Sequence, residues 1–164
     1  MTYKNRGMLL EDIINRTILY YYENGIAFIE KKNLPIKFKG IKTINNQLKA
    51  EEAFVYKKST VDYIGCFKGK FVAFEAKTTN ENYLPISNIK KHQIEYLKQI
   101  HANGGISFLI VFFNQTNEFY LLDFGHLLQM YNTKEFKYLE IKKIGKIIPL
   151  VFPGIIDFLP ILNI

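Results

Sequence analysis

Asp62, Glu75 and Lys77 are two carboxylates and an amine of the types that hold a hard cation and stabilise charge on a phosphate, and a short stretch of chain sets them together. Thr60 to Phe67 and Lys70 to Lys77 are β-rich runs separated by Lys68-Gly69, the length of a tight hairpin loop. A two-residue loop pairs Phe67 with Lys70. Stepping back along both strands then sets Asp62 opposite Glu75 and Thr60 opposite Lys77, and the period of two puts all four on one face at the open end. Opposed positions have Cβ atoms about 4.5–5.5 Å apart, so facing carboxylates repel unless a cation lies between them. Mg²⁺ suits that place, because it takes one or two carboxylates together with phosphate and water, and it generates a nucleophilic hydroxide. Lys77 would lie beside that water. Such a site needs both acids on the same side of the ribbon and open to solvent.

The plainer reading is an exposed charge cluster in which Lys77 neutralises the acids. Against it stands the run Phe71-Val72-Ala73-Phe74, which reads as buried sheet leading to Glu75, and acids at the end of a buried strand carry a cost that function commonly explains. A bulge at Gly65 would move the register by one.

The elements that must position these groups are legible around them. Met8, Leu9, Ile13, Ile14, Ile18 and Tyr22 recur at three and four, predicting a helix from Gly7 to about Asn24 that stops at Gly25. Ile26 to Glu30 reads as a strand. Pro35 to Ile44 alternates apolar residues with lysine, Asn45-Asn46-Gln47 is a turn, and Glu52 to Lys58 returns extended, so residues 35–58 form a projecting arm. Ser87 is the predicted N-cap of a helix running through Ile94 and Leu97 to Gly104-Gly105, and Ile106 to Phe113 has the length of a buried strand. Glu118 to Phe124 adds a strand, His126 to Tyr131 a short helix, and an apolar tail runs from Tyr138 to Ile164. Tyr20-Tyr21-Tyr22 points three ways around a helix and reads as packing. The order predicts a single mixed α/β domain over residues 1–164, with helices on both faces of one sheet.

The 164 residues carry 22 Lys and Arg against 15 Asp and Glu, a net charge of +7, with pI near 9.3. That balance points to a polyanion, nucleic acid first and an anionic membrane second. Arg6 and Arg16 are the only arginines, so phosphate would be met by lysines acting as flexible point charges rather than as bidentate forks. Cys66 stands alone, which excludes an internal disulfide, and with His92, His101 and His126 it does not make a closed zinc site. No apolar signal core and no run of 18 apolar residues is present, so a cytoplasmic protein is expected.

The residues Asn5-Arg6-Gly7-Met8 with Glu11-Asp12, Ser59-Thr60-x-Asp62-Tyr63-x-Gly65, Phe74-Glu75-Ala76-Lys77, His92-Gln93-Ile94-Glu95, Gly105-Ile106-x-Phe108 and Ile156-Asp157 span nearly the whole chain. In these motifs it resembles the RecU family of Holliday junction resolvases from low-GC Gram-positive bacteria, within the PD-(D/E)xK nuclease superfamily. The resemblance implies a restriction-endonuclease-like mixed sheet flanked by helices, with the arm as a protruding β stalk. It also implies a Mg²⁺ site at Thr60, Asp62, Glu75 and Gln93, which Mn²⁺ would also fill, and Lys77 as the transition-state stabiliser. Glu11, a helical acid of the kind related nucleases bring to the metal, is a further candidate; a helix dipole favours a Glu in the first turn equally well. Lys90 and Lys91 on the second helix, and Lys37, Lys39, Lys42 and Lys49 on the arm, would follow the DNA backbone.

The implied activity is endonucleolytic resolution of four-way DNA junctions in recombination and repair, by paired symmetric nicks from a homodimer, with RecA and the branch-migration machinery as further partners and no membrane. The family stalk commonly holds arginine, and this one offers only lysine. Two other readings stay open: another duplex endonuclease of the superfamily, and a non-catalytic junction-binding architectural protein.

Overall fold

A computed structural model of the chain describes residues 6–55, 60–134 and 136–162, with side chains from Met8 onward. Asn5 and Ser59 of the motifs above, and Tyr56 to Lys58 at the end of the predicted arm, lie outside the described residues. The first helix, α1, runs Arg6–Glu23 and ends where Gly25 takes a left-handed φ of 62°. Its buried stripe is Leu10, Ile13, Ile14, Thr17 and Tyr21, whereas Met8, Leu9 and Tyr22 are exposed. The predicted stripe is therefore rotated. The rotation has a polar cause as well as an apolar one: Thr17 Oγ1 accepts from Ile156 N–H at 3.0 Å, and the Tyr21 hydroxyl donates to Asp157 Oδ1 at 2.8 Å while accepting from Phe158 N–H at 2.9 Å. Of the three consecutive tyrosines, the central one packs as core.

Strands β1 (Phe28–Lys31), β4 (Tyr63–Phe67), β5 (Lys70–Thr79), β6 (Ile106–Phe113), β7 (Glu118–Asp123) and β8 (Lys146–Ile148) form one sheet in the order β1-β4-β5-β6-β7-β8. Only β5 and β6 are parallel. Helix α2 (Lys91–Ala102) makes that crossover, as a parallel pair requires. Together with α3 (Phe124–Thr133) and α4 (Tyr138–Ile144), it covers the face of Leu109, Val111 and Leu122. The other face carries α1 and the tail, packed on Phe74, Phe108 and Ile110. This is the mixed α/β arrangement expected.

Several boundaries differ from expectation, among them the start of β4 at Tyr63 rather than Thr60 and of β1 at Phe28 rather than Ile26. Ser87 is not an N-cap: residues Ile86–Asn88 form a 3-10 turn after Pro85, and α2 begins only at Lys91. Helix α3 is longer than predicted because Asp123 caps it, accepting from His126 N–H at 3.0 Å. The tail divides. Ile148, Ile155, Ile156, Phe158 and Leu159 are core, while Ile147 and the short pair β9 (Leu150–Val151) with β10 (Ile155–Ile156) leave Leu150, Val151 and Phe152 in solvent.

Strands β2 (Ile36–Ile44) and β3 (Gln47–Val55) pair only with each other among the described residues, in a ribbon exposed on both faces. Asn45 and Asn46 turn it with φ of 52° and 59°, the pair of positive angles that a two-residue hairpin turn requires. Its returning strand starts at Gln47, earlier than the predicted Glu52.

Candidate metal centre

The β4–β5 hairpin turns at Lys68 and Gly69, both with positive φ, so its strands are matched as expected: Phe67 with Lys70, Gly65 with Val72 and Tyr63 with Phe74. Gly65 is not a bulge. It is pressed between neighbours, and a Cβ there would lie 2.1 Å from the Phe28 carbonyl oxygen on β1. A row of stacked rings fixes the register across three strands: Tyr63 on Phe74 with centroids 4.8 Å apart, and Phe74 on Phe108 at 4.7 Å.

The ladder of backbone bonds ends at Tyr63 and Phe74, and the carboxylates take over where it ends. Asp62 N–H donates to Glu75 Oε2 at 3.2 Å, and Asp62 Oδ2 accepts from Ala76 N–H at 3.3 Å. Glu75 Oε1 accepts from Gln93 Nε2 at 2.6 Å and from Lys77 Nζ at 2.5 Å. Gln93 is in the first turn of α2: its Oε1 accepts from Lys90 N–H at 2.9 Å, which caps the helix while fixing the amide toward Glu75. One side chain thus ties the start of α2 to the acid.

Glu75 is 1 % exposed. The expectation that both acids open directly on solvent therefore holds for Asp62 alone, and Glu75 stands behind it. Burial, and next the negative charge of Asp62, push the Glu75 carboxyl from 4.5 up to about 8, with Lys77 opposing. A cleft of about 300 Å³ opens in front, lined by Glu11, Lys31, Asp62, Tyr63, Lys77 and Thr78 among others. Glu11 is ion-paired with Lys31 on the cleft wall. Burial, then the charges of Glu11 and Asp62, push the Tyr63 hydroxyl up, a sign of the negative field the cleft holds. Thr78, also on the wall, carries a buried hydroxyl with no hydrogen-bond partner among the described residues.

Thr60 is placed differently from the other predicted ligands. Its hydroxyl accepts from Lys32 Nζ at 2.5 Å. Lys31 and Lys32 are the residues that sequence reasoning missed. They enter because β1 pairs with β4, Glu30 against Ile64 and Lys31 against Tyr63, and Lys32 N–H then donates to the Asp62 carbonyl at 2.7 Å. The visible signal was a pair of lysines closing a predicted strand, with nothing local to say which strand it joins.

The donor set fits a hard divalent ion. Two carboxylates meet across the hairpin, the charge of Asp62 adding to the burial that raises Glu75, and since among the described residues no group of three His, Cys, Asp or Glu could hold a metal, water or phosphate oxygens would have to complete the ion's shell. Two acids with neutral oxygens and water are what Mg²⁺ takes, whereas a softer ion would want nitrogen or sulfur.

The predicted DNA contacts lie elsewhere. Lys37, Lys39, Lys42 and Lys49 are on the ribbon; Lys39 pairs with Glu52 at 3.0 Å and Lys42 with Glu51 at 2.7 Å. Lys90 and Lys91 open α2, with Lys90 Nζ on the Ser87 carbonyl at 2.5 Å.

In a mixed sheet, an acid pair, a lysine and a helical amide gathered where the β4–β5 pairing ends make a candidate oxygen-donor metal centre. The family described as RecU: Recombination protein U matches residues 5–164, and the chain belongs to that family. It is 41% identical over 160 residues to the Holliday junction resolvase RecU of Mycoplasmopsis pulmonis (strain UAB CTIP), covering 98% of this chain and 95% of that protein. It is 39% identical over 169 residues to the Holliday junction resolvase RecU of Geobacillus kaustophilus (strain HTA426), covering 98% of this chain and 84% of that one. Among solved structures, Archaeoglobus fulgidus Hjc, a Holliday junction resolvase from an archaeal hyperthermophile, matches 70% of this chain and 77% of its own at 9% identity, with a TM-score of 0.43.

Proposed function

We propose that the chain is a Holliday junction resolvase, an endonuclease that cuts four-way DNA junctions in recombination and repair, and that it does so with Mg²⁺ as one subunit of a homodimer. Family membership and relatives of that name support the activity. The observation that carries the metal dependence is the contact of Asp62 with a buried Glu75 whose carboxyl is pushed to about 8.

Asp62 and Glu75 would hold the ion, which when bound polarises the scissile phosphate and activates water. Gln93 keeps Glu75 Oε1 in place. Lys77, ion-paired with Glu75, would turn to the phosphate and balance its charge in the transition state. Glu11 and Lys31 oppose each other on the cleft wall, ready to divide between water and phosphate. Thr60 borders the site through Lys32.

One set of acids cuts one strand, so paired nicks in a two-fold junction call for two copies. The exposed Leu150–Phe152 segment, with Phe152 95 % exposed, suits the partner subunit. The ribbon would reach into the junction with its lysines. Among the described residues no helix is long and apolar enough to cross a membrane, and the expected compartment is the cytoplasm. The test is cleavage of an immobile four-way junction beside a linear duplex of the same sequence. Symmetric nicks in the junction that require Mg²⁺ or Mn²⁺ are expected; equal cutting of linear duplex would replace this reading with an ordinary duplex endonuclease.

A further inference from the structure

A second cleft, of about 700 Å³, lies between the loop after β5 and the segment joining α3 to α4. Its frame is hydrogen-bonded backbone. Leu84 N–H donates to the Phe136 carbonyl and Tyr138 N–H to the Asn82 carbonyl, both at 2.8 Å, and Tyr83 bridges to Lys137. Leu84 and Phe136 are buried beneath, while Tyr83 is 45 % and Leu139 72 % exposed at the rim. Among the described residues Lys134 and Lys137 line it with one acid, Glu140, and Lys143 follows on α4.

Its position follows from strand direction. β5 and β6 run in parallel toward Thr79 and Phe113, so Lys77 is near the end of the sheet that both strands reach. β7 starts at that same end with Glu118, whose Oε2 accepts from the Tyr138 hydroxyl at 2.5 Å. The cleft therefore lies beyond the end of β5 that Lys77 approaches to within two residues and Glu75 to within four, and it opens on the α2–α4 face of the sheet. Tyr83 is six residues beyond Lys77, a separation of at most about 20 Å, or about six nucleotides of stacked strand.

An exposed aromatic ring flanked by lysines, on an apolar floor, is the combination that binds unpaired nucleic acid: bases stack on the ring and phosphates meet the amines. A duplex offers no free base face to such a ring. We propose that this cleft takes an unpaired stretch of the DNA strand leaving the metal centre, with a nucleobase stacked on Tyr83 and phosphates on Lys134 and Lys137. The proposal rests on the nuclease reading for its source of DNA.

The chain contains no tryptophan, so Tyr83→Trp reports on the cleft directly. Titrating that variant with a ten-nucleotide oligothymidylate should quench its fluorescence. Tyr83→Ala should weaken binding of the same oligonucleotide about tenfold or more, while Tyr83→Phe, which keeps the stacking face, should bind as the wild type does. Lys134→Ala with Lys137→Ala should reduce the slope of log affinity against log salt by about 1.4. Unquenched tryptophan at saturating DNA, unchanged affinity in Tyr83→Ala, or an equal loss for blunt duplex would overturn the proposal. So would a change of oligomeric state in Tyr83→Ala with DNA binding intact, which would put a protein surface there. Strand binding through Tyr83 in a chain that never cuts junctions would leave the cleft standing and remove the nuclease reading; junction cutting with a silent Tyr83 would do the reverse.

Discussion

Asp62 and Glu75 face each other across the end of the β4–β5 hairpin, and each is held by the other's strand: Asp62 N–H on Glu75 Oε2 at 3.2 Å, Asp62 Oδ2 on Ala76 N–H at 3.3 Å. Neither acid can turn away without breaking a bond that stands in for the missing ladder. On the reading proposed above the pair would share an ion, and without one the charge of Asp62 joins burial in keeping Glu75 protonated. Asp62→Asn removes one of the charges with little change of shape. Junction cutting should fall by about a thousandfold or more, while junction binding in gel shift is retained. A junction-binding architectural protein would show no cutting to lose, and its behaviour would be the same with chelator or with this substitution.

Glu75 makes stability and metal binding depend on pH in a definite direction. Its carboxyl is raised from 4.5 to about 8, so between those values the metal-free folded chain keeps a proton that the unfolded chain has released. Stability from this group is present below about 4.5 and is lost as pH rises toward 8. Metal binding, which needs the ionised acid, should strengthen about tenfold per pH unit below 8 and release a proton near neutrality. Thermal melts and metal titrations at several pH values check both, and Glu75→Gln should flatten the stability trend.

Gln93 acts on the centre through Glu75. Gln93→Ala removes the 2.6 Å bond to Glu75 and the cap on Lys90 together. Metal affinity should weaken about 10–100-fold, as for other groups that orient a metal ligand. Gln93→Leu, similar in bulk, should show the same loss; full affinity in both variants would mean that Glu75 is held without the amide.

Much of this centre is legible in the sequence because a two-residue loop leaves one register, and register alone sets Asp62 against Glu75. What escapes is set by distant partners. Lys31 and Lys32 reach the site because β1 joins β4, which no local spacing reveals. Ser87 looks like an N-cap, but Pro85 starts a tight turn there and the helix waits for Lys91. The stripe of α1 is misjudged because Thr17 and Tyr21 count as polar or ambiguous until Ile156, Asp157 and Phe158 arrive from the far end of the chain to pair with them.

Tyr21 gives a stability prediction on that same contact. Its hydroxyl serves Asp157 and the N–H groups of Phe158 and Leu159. Tyr21→Phe leaves those buried donors unpaired, which costs about 2 kcal/mol and lowers the melting temperature by about 4–8 °C. Calorimetry or circular dichroism reads it, with metal binding unaffected.

The ribbon lysines should act through phosphate. Replacing Lys37, Lys39, Lys42 and Lys49 by alanine should weaken junction binding and lower its salt slope by about 0.9 for each lysine that meets a phosphate of duplex. Lys39 and Lys42 are spoken for by Glu52 and Glu51. Glu51→Gln with Glu52→Gln should therefore tighten DNA binding at low salt, as measured by fluorescence anisotropy, because exposed pairs of this kind contribute little to stability and release easily.

The most direct test is a calorimetric titration of Mn²⁺ into the metal-free protein at pH 8, beside Asp62→Asn and Glu75→Gln. Saturable binding by the wild type that both substitutions abolish or greatly weaken is the predicted result. Equal heats in all three proteins would mean that the two acids do not share an ion, and the chemistry assigned to the hairpin would be wrong.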